Sequence, residues 1–500
     1  MEEKFKQLKN LLAEISDLVA ASALMGWDQQ VNMAPGAAED RGAQISTLER
    51  IIHIKATSQE LGGLITDLEG EVQKLDADSD NARLVKVARR DYDKRTKVPT
   101  EYVAEMARVS SVAQTVWEKA KKESNFSLFQ PHLEKLVGLR RQYADFFAPY
   151  THIYDPLLDD FEPGLKTADV KSIFDGLRPK QVALIQAISQ KPQMDSSFLK
   201  LNYPEKGQLD FGREVITSFG YDWDHGRQDK SVHPFTTGFG LNDVRITTRV
   251  NQDYLNPALF GTMHECGHAM YEQGIDKKYN RTSLAGGASM AVHESQSRMW
   301  ENLVGRSLAF WKHFYPRLQK FFPSQLGSID LDTFYKGVNI VEPSMIRVEA
   351  DEATYNLHIM LRLELEIALM EGGLSVSDLP AAWNTKFNEY LGTTPRNDAE
   401  GVLQDVHWSF GGFGYFPTYA LGNLVASQLW ESMYKELPDV EQQIERGEFQ
   451  GLLDWLRKNV HQYGAKYEPQ ELVQKVTGSK ISPEPYIRYL EDKFGSIYGL

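Results

Sequence analysis

The sequence predicts a mainly α-helical protein with one small β-sheet. Three observations support this prediction: apolar residues recur at helical spacing over most of the 500 residues, proline and glycine interrupt that spacing chiefly between about 190 and 255, and no Pro-, Gly- or Ser-rich linker divides the chain. The 42% hydrophobic and 25% charged residues are enough to build a large core. We therefore expect a single helical domain over residues 1–500, split into two lobes by a cleft, with well over half of its residues in helices.

The helical pattern begins at the N-terminus, where apolar residues from Phe5 to Leu18 follow i, i+3, i+4 spacing. Similar stripes predict helices near 81–122, 127–148, 167–189, 257–273, 288–320 and 352–371, and in several segments from 418 onward. In the interrupted region, His233–Phe235 and Asp243–Arg249 combine β-branched content with near alternation. These two segments predict short strands joined by a hairpin around Thr237–Asn242.

The charge balance and the single cysteine limit the class of protein. The 69 acidic residues outnumber the 55 basic ones, whereas a general binder of nucleic acid or anionic membrane would be basic. Cys266 is the only cysteine, so no intrachain disulfide can form and a reducing compartment is favoured. The N-terminus lacks the order of a signal peptide, and no apolar run approaches the roughly 18 residues of a membrane span. We expect a cytoplasmic protein with no nucleic-acid or membrane partner.

The most informative motif is an HExxH sequence, His264-Glu265-Cys266-Gly267-His268. Asn256-Pro257 is typical of a helix start, with Asn256 as the N-cap, and Gly274 is typical of the position just after a helix end. On such a helix, His264 and His268 lie one turn apart and can bind the same metal ion. Glu265 lies about 100° further round, close enough to address a metal-bound water.

A catalytic zinc site usually has three protein ligands, so a third ligand is needed. The metzincin class is excluded because Tyr271 and Gly274 occupy the positions of its Gly and third His. The gluzincin class takes a glutamate from a following helix, and Glu294 in the predicted helix Ser289–Trp300 has a suitable separation. His293 is the competing candidate ligand, although a buried, hydrogen-bonded histidine is the more ordinary interpretation.

Cys266 lies inside the motif but is not predicted to bind the metal. Two positions beyond His264, it faces about 200° away from that histidine, toward the packed side of the helix. We therefore interpret Cys266 as a buried, inert thiol rather than a ligand or a redox switch.

Further motifs resemble the M32 family of metallocarboxypeptidases. They are HESQS at 293–297, HPF at 233–235, DVRIT at 243–247, IRVEAD at 346–351 and GVLQDVHW at 401–408, with WDQQ at 27–30 and GYFPTY at 414–419. The resemblance implies a helical, cleft-bearing fold similar to that of neurolysin and angiotensin-converting enzyme. It also implies a divalent metal, removal of single C-terminal residues from peptides, and a homodimer.

Peptide hydrolysis needs a general base and a donor to the oxyanion. Glu265 is the candidate base. The resemblance to helical zinc peptidases, which use a His and a Tyr downstream of the metal helices, makes His407, Tyr415 and Tyr419 the candidate donors. Asp405 is a candidate for orienting its neighbours, and a packing role for either tyrosine is the alternative.

A free C-terminal carboxylate entering an acidic protein needs a fixed cation, and a guanidinium binds it through two hydrogen bonds. The resemblance favours Arg347, with Arg245 as a second candidate and Arg249 in reserve. Structural ion pairs are the alternative, Arg347 with Glu349 or Asp351 and Arg245 with Asp243. His233 is a candidate for contacting the substrate backbone, or simply a turn residue before proline.

The favoured function is a metallocarboxypeptidase of broad specificity with one divalent ion per chain, zinc first and cobalt or manganese as alternatives. An oligoendopeptidase of the same fold is the alternative with the same chemistry. A helical binding protein with a vestigial motif is the alternative without catalysis.

Overall fold

The computed structural model describes residues 1–500 and is 69% helical, which confirms the predicted fold class. The first nine α-helices are α1 (Glu2–Val31), α2 (Ala38–Ala56), α3 (Gln59–Val72), α4 (Asp80–Lys97), α5 (Thr100–Glu123), α6 (Phe126–Asp145), α7 (Asp155–Asp159), α8 (Thr167–Ser189) and α9 (Glu205–Phe219). The apolar stripe predicted as one helix near 81–122 forms two, α4 and α5. The break falls at Val98 and Pro99, because a residue before proline prefers extended backbone.

The remaining helices are α10 (Asn256–Gln273), α11 (Met290–Arg298), α12 (Leu308–Phe321), α13 (Pro323–Leu326), α14 (Leu331–Val338), α15 (Tyr355–Glu371), α16 (Leu379–Leu391), α17 (Pro417–Glu436), α18 (Val440–Glu445), α19 (Gln450–Asn459), α20 (Pro469–Thr477) and α21 (Glu484–Tyr498). The helix predicted near 288–320 is divided, since a π-helix at Met299–Val304 separates α11 from the turn before α12. No helix combines the length and the apolar character that a membrane crossing requires.

The sheet has three short strands, β1 (Gln228–Lys230), β2 (Thr236–Gly238) and β3 (Val244–Thr248), in the order β1-β3-β2. β2 and β3 form the predicted hairpin and pair antiparallel, while β1 was not predicted and pairs parallel with β3. The strand predicted at His233–Phe235 is wrong in its position. The observed strand β2 follows it, and its pairing with β3 begins at Thr236, opposite Ile246. Pro234 has no N–H for a ladder, which explains the later start.

Two apolar clusters organise the molecule. The larger one fills the body and surrounds α15 and α17, which are buried over most of their length and carry polar residues among their apolar ones. The smaller one joins α1, α3 and α4, through residues such as Leu8 and Ile65, to Leu284 and Tyr279 of the loop after α10. We call α1, α3 and α4, which share this second cluster, the N-terminal lobe.

Polar contacts fasten the N-terminal lobe to the body. Asp80, at the start of α4, accepts hydrogen bonds from the Tyr279 hydroxyl at 2.8 Å and from Lys466 at 2.7 Å. Burial opposes ionisation of Asp80, but Lys466 and Lys278 outweigh it and hold the pKa of this carboxyl well below its usual range. A cleft of about 620 Å³ lies between the two lobes, with Val19 of α1 on one side and α10 and α11 on the other.

Candidate active site

α10 carries the HExxH motif and lies against the sheet and α11. It begins at Asn256, so the prediction of Asn256 as the N-cap is wrong; Leu255 has that position, and the Asn256 side chain donates to the Tyr254 hydroxyl at 3.3 Å instead. Gly274 ends the helix, but in right-handed backbone with φ −89°, because its N–H still donates to the carbonyl of Met270 at 3.0 Å.

Two glycines bring the helices of the site unusually close together. A Cβ on Gly267, in the middle of the motif, would lie 2.6 Å from the Gln296 carbonyl oxygen of α11. A Cβ on Gly422 of α17 would lie 2.5 Å from Cγ of Glu294. Since real Cβ atoms do not approach so closely, only glycine at both positions lets α11 pack between α10 and α17. This packing brings Glu294 to the two histidines.

His264, His268 and Glu294 form a group that we call the metal donor group. Glu294 Oε2 lies 3.6 Å from Nε2 of His264 and 3.6 Å from Nε2 of His268, and one donor atom from each residue lies within 4.8 Å of the others. Two imidazole nitrogens and a carboxylate oxygen are a donor set typical of divalent transition metals. The chemistry of the donors therefore fits a metal ion.

His264 and Glu294 are held by a neighbouring ion-pair network. Glu301, in the π-helix, accepts a hydrogen bond from His264 Nδ1 at 2.9 Å, and Arg298 donates to Glu294 at 2.7 Å and to Glu301 at 3.2 Å. Burial lowers the pKa of His264, but Glu294 and Glu301 outweigh it, and the pKa is raised. Burial likewise opposes ionisation of Glu301, yet Arg298 lowers its pKa to about 2.

His268 is held differently, by a second histidine. Its Nδ1 lies 3.1 Å from Nδ1 of His293, and His293 Nε2 lies 2.6 Å from Glu272 Oε1. The competing ligand His293 therefore contacts the side of His268 that faces away from the metal donor group.

Glu265 is buried beside the metal donor group and lines the same cleft. Thr236 of β2 donates from its hydroxyl to Glu265 Oε2 at 2.7 Å, so the hairpin orients this carboxylate. Burial raises the pKa of Glu265, which makes it more basic than an exposed glutamate. Cys266 faces the core, as predicted, and burial raises the pKa of its thiol.

The downstream candidates form an aromatic cluster at the C-terminal side of the cleft. Tyr415 and Tyr419 line the cleft together with the metal donor group, and their ring centroids are 5.3 Å apart. The Tyr419 hydroxyl lies 3.4 Å from Nε2 of His407, which is set behind the tyrosines. Burial lowers the pKa of His407 to about 4, so the ring is neutral at pH 7. Burial also raises the pKa of both tyrosines.

Arg347 belongs to a second buried group, the arginine cluster, which consists of Arg347, Arg362 and Asp405. Arg347 donates to Asp405 Oδ1 through Nε at 3.0 Å and Nη2 at 2.8 Å, while Arg362 Nε donates to Oδ2 at 2.7 Å. The ion-pair partners considered for Arg347, Glu349 and Asp351, are both wrong. Asp351 is engaged with Thr354 instead.

The buried Arg347 guanidinium also lies beside Tyr419, one of the tyrosines that line the cleft. Its Nη1 donates to the Tyr355 hydroxyl at 3.0 Å, and its central carbon lies 5.0 Å from the ring centroid of Tyr419. Gln404 accepts from the backbone N–H of Arg347 at 2.8 Å, so both the side chain and the backbone of Arg347 are held by the Gln404-Asp405 pair.

The other substrate-binding candidates lie in and next to the β2–β3 hairpin. Arg245 forms the ion pair considered for it, with both bonds to Asp243 at 2.8 Å, and its guanidinium lies over the Trp27 ring. His233, three residues before β2, and Arg249, directly after β3, are both exposed. Pro234, next to His233, does line the cleft.

Sequence reasoning missed several residues of the site, namely Thr236, Arg298, Glu301, Tyr355 and Arg362. Arg298 and Glu301 follow Glu294 by four and seven residues, which is the spacing of one helix face. That spacing is a signal from which these two residues could have been found. Arg362 carries no such signal, because it is close to Asp405 only in the folded chain.

A helical body with a cleft, a His-His-Glu donor group and an adjacent buried glutamate define a metal-dependent peptidase. The sequence profile of the family described as "Carboxypeptidase Taq (M32) metallopeptidase" matches residues 7–494. The chain therefore belongs to the M32 family of metallocarboxypeptidases.

Relatives of known name agree with this assignment. Thermostable carboxypeptidase 1 of Thermus thermophilus is 42% identical, and the alignment covers 100% of this chain and 99% of the relative. Carboxypeptidase 1 of Bacillus subtilis is 40% identical over 99% of this chain and 98% of the relative. The crystal structure of an M32 carboxypeptidase from Deinococcus radiodurans superposes with a TM-score of 0.97 at 39% identity, covering 100% of both chains. These relatives favour neither the endopeptidase nor the binding-protein alternative.

Proposed function

We propose that this protein removes single amino acids from the free C-terminus of peptides, with Glu265 as the general base. The observation that carries the proposal is the position of Glu265, buried next to the metal donor group and oriented by Thr236. His264, His268 and Glu294 would hold the ion. A divalent ion at such a site lowers the pKa of water to about 7 and polarises the scissile carbonyl.

Glu265 acts as the proton shuttle of the reaction. Its raised pKa suits a carboxylate that accepts a proton from the attacking water and then delivers it to the leaving amine. We infer zinc as the ion, with cobalt or manganese as alternatives, because two imidazoles and one carboxylate suit all three.

Tyr419 and Tyr415 are the proposed donors to the oxyanion, and His407 is the proposed partner of Tyr419. Both tyrosines line the cleft with the metal donor group, and their raised pKa keeps the hydroxyls protonated at neutral pH. His407 is neutral and lies within 3.4 Å of the Tyr419 hydroxyl, so its ring can orient that hydroxyl.

Recognition of the substrate carboxylate is assigned to Arg347. Two guanidiniums share the single carboxylate of Asp405, so the arginine cluster has one positive charge in excess. The Nη1 of Arg347 is bound only to the Tyr355 hydroxyl, and this nitrogen is the one that a carboxylate would engage. Arg245, already neutralised by Asp243, is the second candidate, and His233 remains a candidate contact to the peptide backbone.

The decisive experiment is mass spectrometry of a peptide with a free or an amidated C-terminus, before and after chelation and metal return. Sequential loss of C-terminal residues from the free peptide only, restored by metal, is expected. Internal cleavage of both peptides would favour an endopeptidase, and no metal-dependent cleavage would favour a binding protein. Metal analysis of the purified protein identifies the ion.

The family resemblance also supports a homodimer in the cytoplasm. Light scattering coupled to size exclusion tests the first part, with a mass of twice 56.8 kDa expected. Cell fractionation tests the second part.

A further inference from the structure

His293 lies at the edge of the metal donor group without being one of its three members. Its two ring nitrogens have different partners on opposite sides: Nδ1 lies 3.1 Å from His268 Nδ1, and Nε2 lies 2.6 Å from Glu272 Oε1. His268 and Glu272 are one turn apart on α10, while His293 comes from α11. The imidazole therefore bridges two residues of the neighbouring helix.

The chemistry of imidazole gives this bridge one consistent arrangement. If His268 uses Nε2 toward a metal, its Nδ1 carries the hydrogen and donates it. His293 Nδ1 must then be the acceptor, so the hydrogen of His293 is on Nε2, where it donates to the Glu272 carboxylate. Each hydrogen has one acceptor, and no polar atom of the bridge is left unpaired.

We propose that His293 and Glu272 are positioning residues that hold His268 in the tautomer and orientation for a divalent ion. This proposal rests on the assignment of His268 as a metal ligand in the proposed function. The Tyr271 ring, 4.8 Å from the His293 ring, packs beside the bridge and limits its movement. His264 contacts a carboxylate directly, since its Nδ1 lies 2.9 Å from Glu301 Oε2. His268 instead reaches its carboxylate, Glu272, through the ring of His293.

The test is the affinity of the metal-free protein for Zn²⁺, measured by competition with a chromophoric chelator. We expect His293→Phe to bind Zn²⁺ about 10–100-fold more weakly, which is the usual cost of removing a partner of a metal-bound histidine. His293→Asn keeps an acceptor near the position of Nδ1, and Glu272→Gln removes only the far end. Both should give smaller losses of affinity than His293→Phe.

His225 offers a matched control. Its Nδ1 lies 2.7 Å from Asp222 Oδ2, and neither residue lines the cleft. His225→Phe removes a similar histidine–carboxylate pair and should leave the Zn²⁺ affinity unchanged. Thermal unfolding of the metal-free protein shows whether His293→Phe folds. If it does not, the Zn²⁺ affinities of His293→Asn and Glu272→Gln test the proposal. Glu272 is partly exposed, so its replacement does not open the core.

X-ray absorption of the metal-loaded protein separates positioning from ligation. Two imidazoles are expected around the metal in both the wild type and His293→Asn. Loss of one imidazole from His293→Asn would make His293 a ligand and overturn the proposal. Unchanged Zn²⁺ affinity in a folded His293→Phe would also overturn it, as would unchanged affinity in both His293→Asn and Glu272→Gln if His293→Phe does not fold. These readouts need no peptide, so failure of the proposed hydrolysis would be seen separately.

Discussion

The metal donor group with its neighbours and the arginine cluster are both buried, yet they carry opposite charge. Around the metal donor group, the carboxylates Glu265, Glu294 and Glu301 outnumber the cations Arg298 and Arg306. In the arginine cluster, two guanidiniums share one carboxylate. Because burying an uncompensated charge is costly, each region suits a partner of the opposite sign.

Under the proposed function, this difference would let an acidic protein accept both a cation and an anion. The excess negative charge suits a metal ion, and the excess positive charge suits the terminal carboxylate of a peptide. Tyr355 links the two regions, since Arg298 lies 4.4 Å from its ring centroid and Arg347 donates to its hydroxyl. The distance between the two binding functions is thereby set by packed side chains.

The largest effect is expected at Glu265, where catalysis should separate from metal binding. Glu265→Gln removes the base but no member of the metal donor group, so kcat should fall by about 10²–10⁴-fold with metal content unchanged. Steady-state kinetics together with metal analysis measures both. A variant that retains most of its kcat would remove Glu265 from this role.

Replacing Asp405 tests how much the arginine cluster contributes to the free energy of unfolding. Asp405→Leu leaves two buried guanidiniums without their shared carboxylate, so the free energy of unfolding should fall by about 3–5 kcal/mol. The control is Asp243→Leu, whose partly exposed pair with Arg245 should contribute about 1 kcal/mol or less. Urea unfolding compares them, and equal losses would show that the arginine cluster is no more critical than a surface pair.

Glu366 is a buried carboxyl that forms no salt bridge. It should make the free energy of unfolding depend on pH. It accepts from the Tyr154 hydroxyl at 2.6 Å, Trp408 Nε1 at 2.7 Å and the Gly414 N–H at 3.0 Å, and burial raises its pKa to about 7. Since the pKa is higher in the folded protein, its contribution is complete below about pH 4.5 and is lost as the pH rises through 7.

Glu366→Gln cannot ionise, so the wild type should lose stability relative to this variant between pH 4.5 and 7, by about 3 kcal/mol. Urea unfolding at several pH values measures the difference in the free energy of unfolding. A difference that stays constant with pH would show that Glu366 is ionised throughout.

The smallest effect is expected at Arg347, because its removal leaves Asp405 and Arg362 as a neutral pair. Arg347→Met should lower kcat/KM for free-carboxylate peptides by tens of fold, since hydrogen bonds to charged groups contribute about 1.5–3 kcal/mol. The control is Arg446→Met, which removes an exposed guanidinium paired with Glu448 and should leave kcat/KM unchanged. If Arg347→Met keeps its kcat/KM, Arg245 becomes the leading candidate for carboxylate recognition.

The parts of the site that could be predicted lie on continuous segments. His264, Glu265 and His268 follow one helix, so their shared face follows from 3.6 residues per turn. Glu294 could be predicted because a turn and a return helix limit where the chain can go. The Arg347 partner could not, because Asp405 is 58 residues away and competes with nearer carboxylates at Glu349 and Asp351.

The strands show the same limit. The β-branched residues and near alternation of Asp243–Arg249 correctly predicted β3, although burial alternates only from Val244 to Ile246 and the next two residues are buried as well. β1 has only three residues and pairs parallel with β3, so nothing in its own sequence distinguishes it from a loop. The start of β2 was misjudged because proline removes a donor just before the pairing begins.

The helical class, the HExxH helix, the candidate third donor Glu294 and the family could be recognised from the amino-acid sequence, because they depend on periodicity, spacing and motifs along the chain. The bridge from His293 to His268 and Glu272, and the sharing of Asp405 by Arg347 and Arg362, are visible only in the folded molecule. Such contacts depend on how closely packed helices approach one another. Gly267 and Gly422 allow that approach, but their sequence positions do not reveal which side chains meet there.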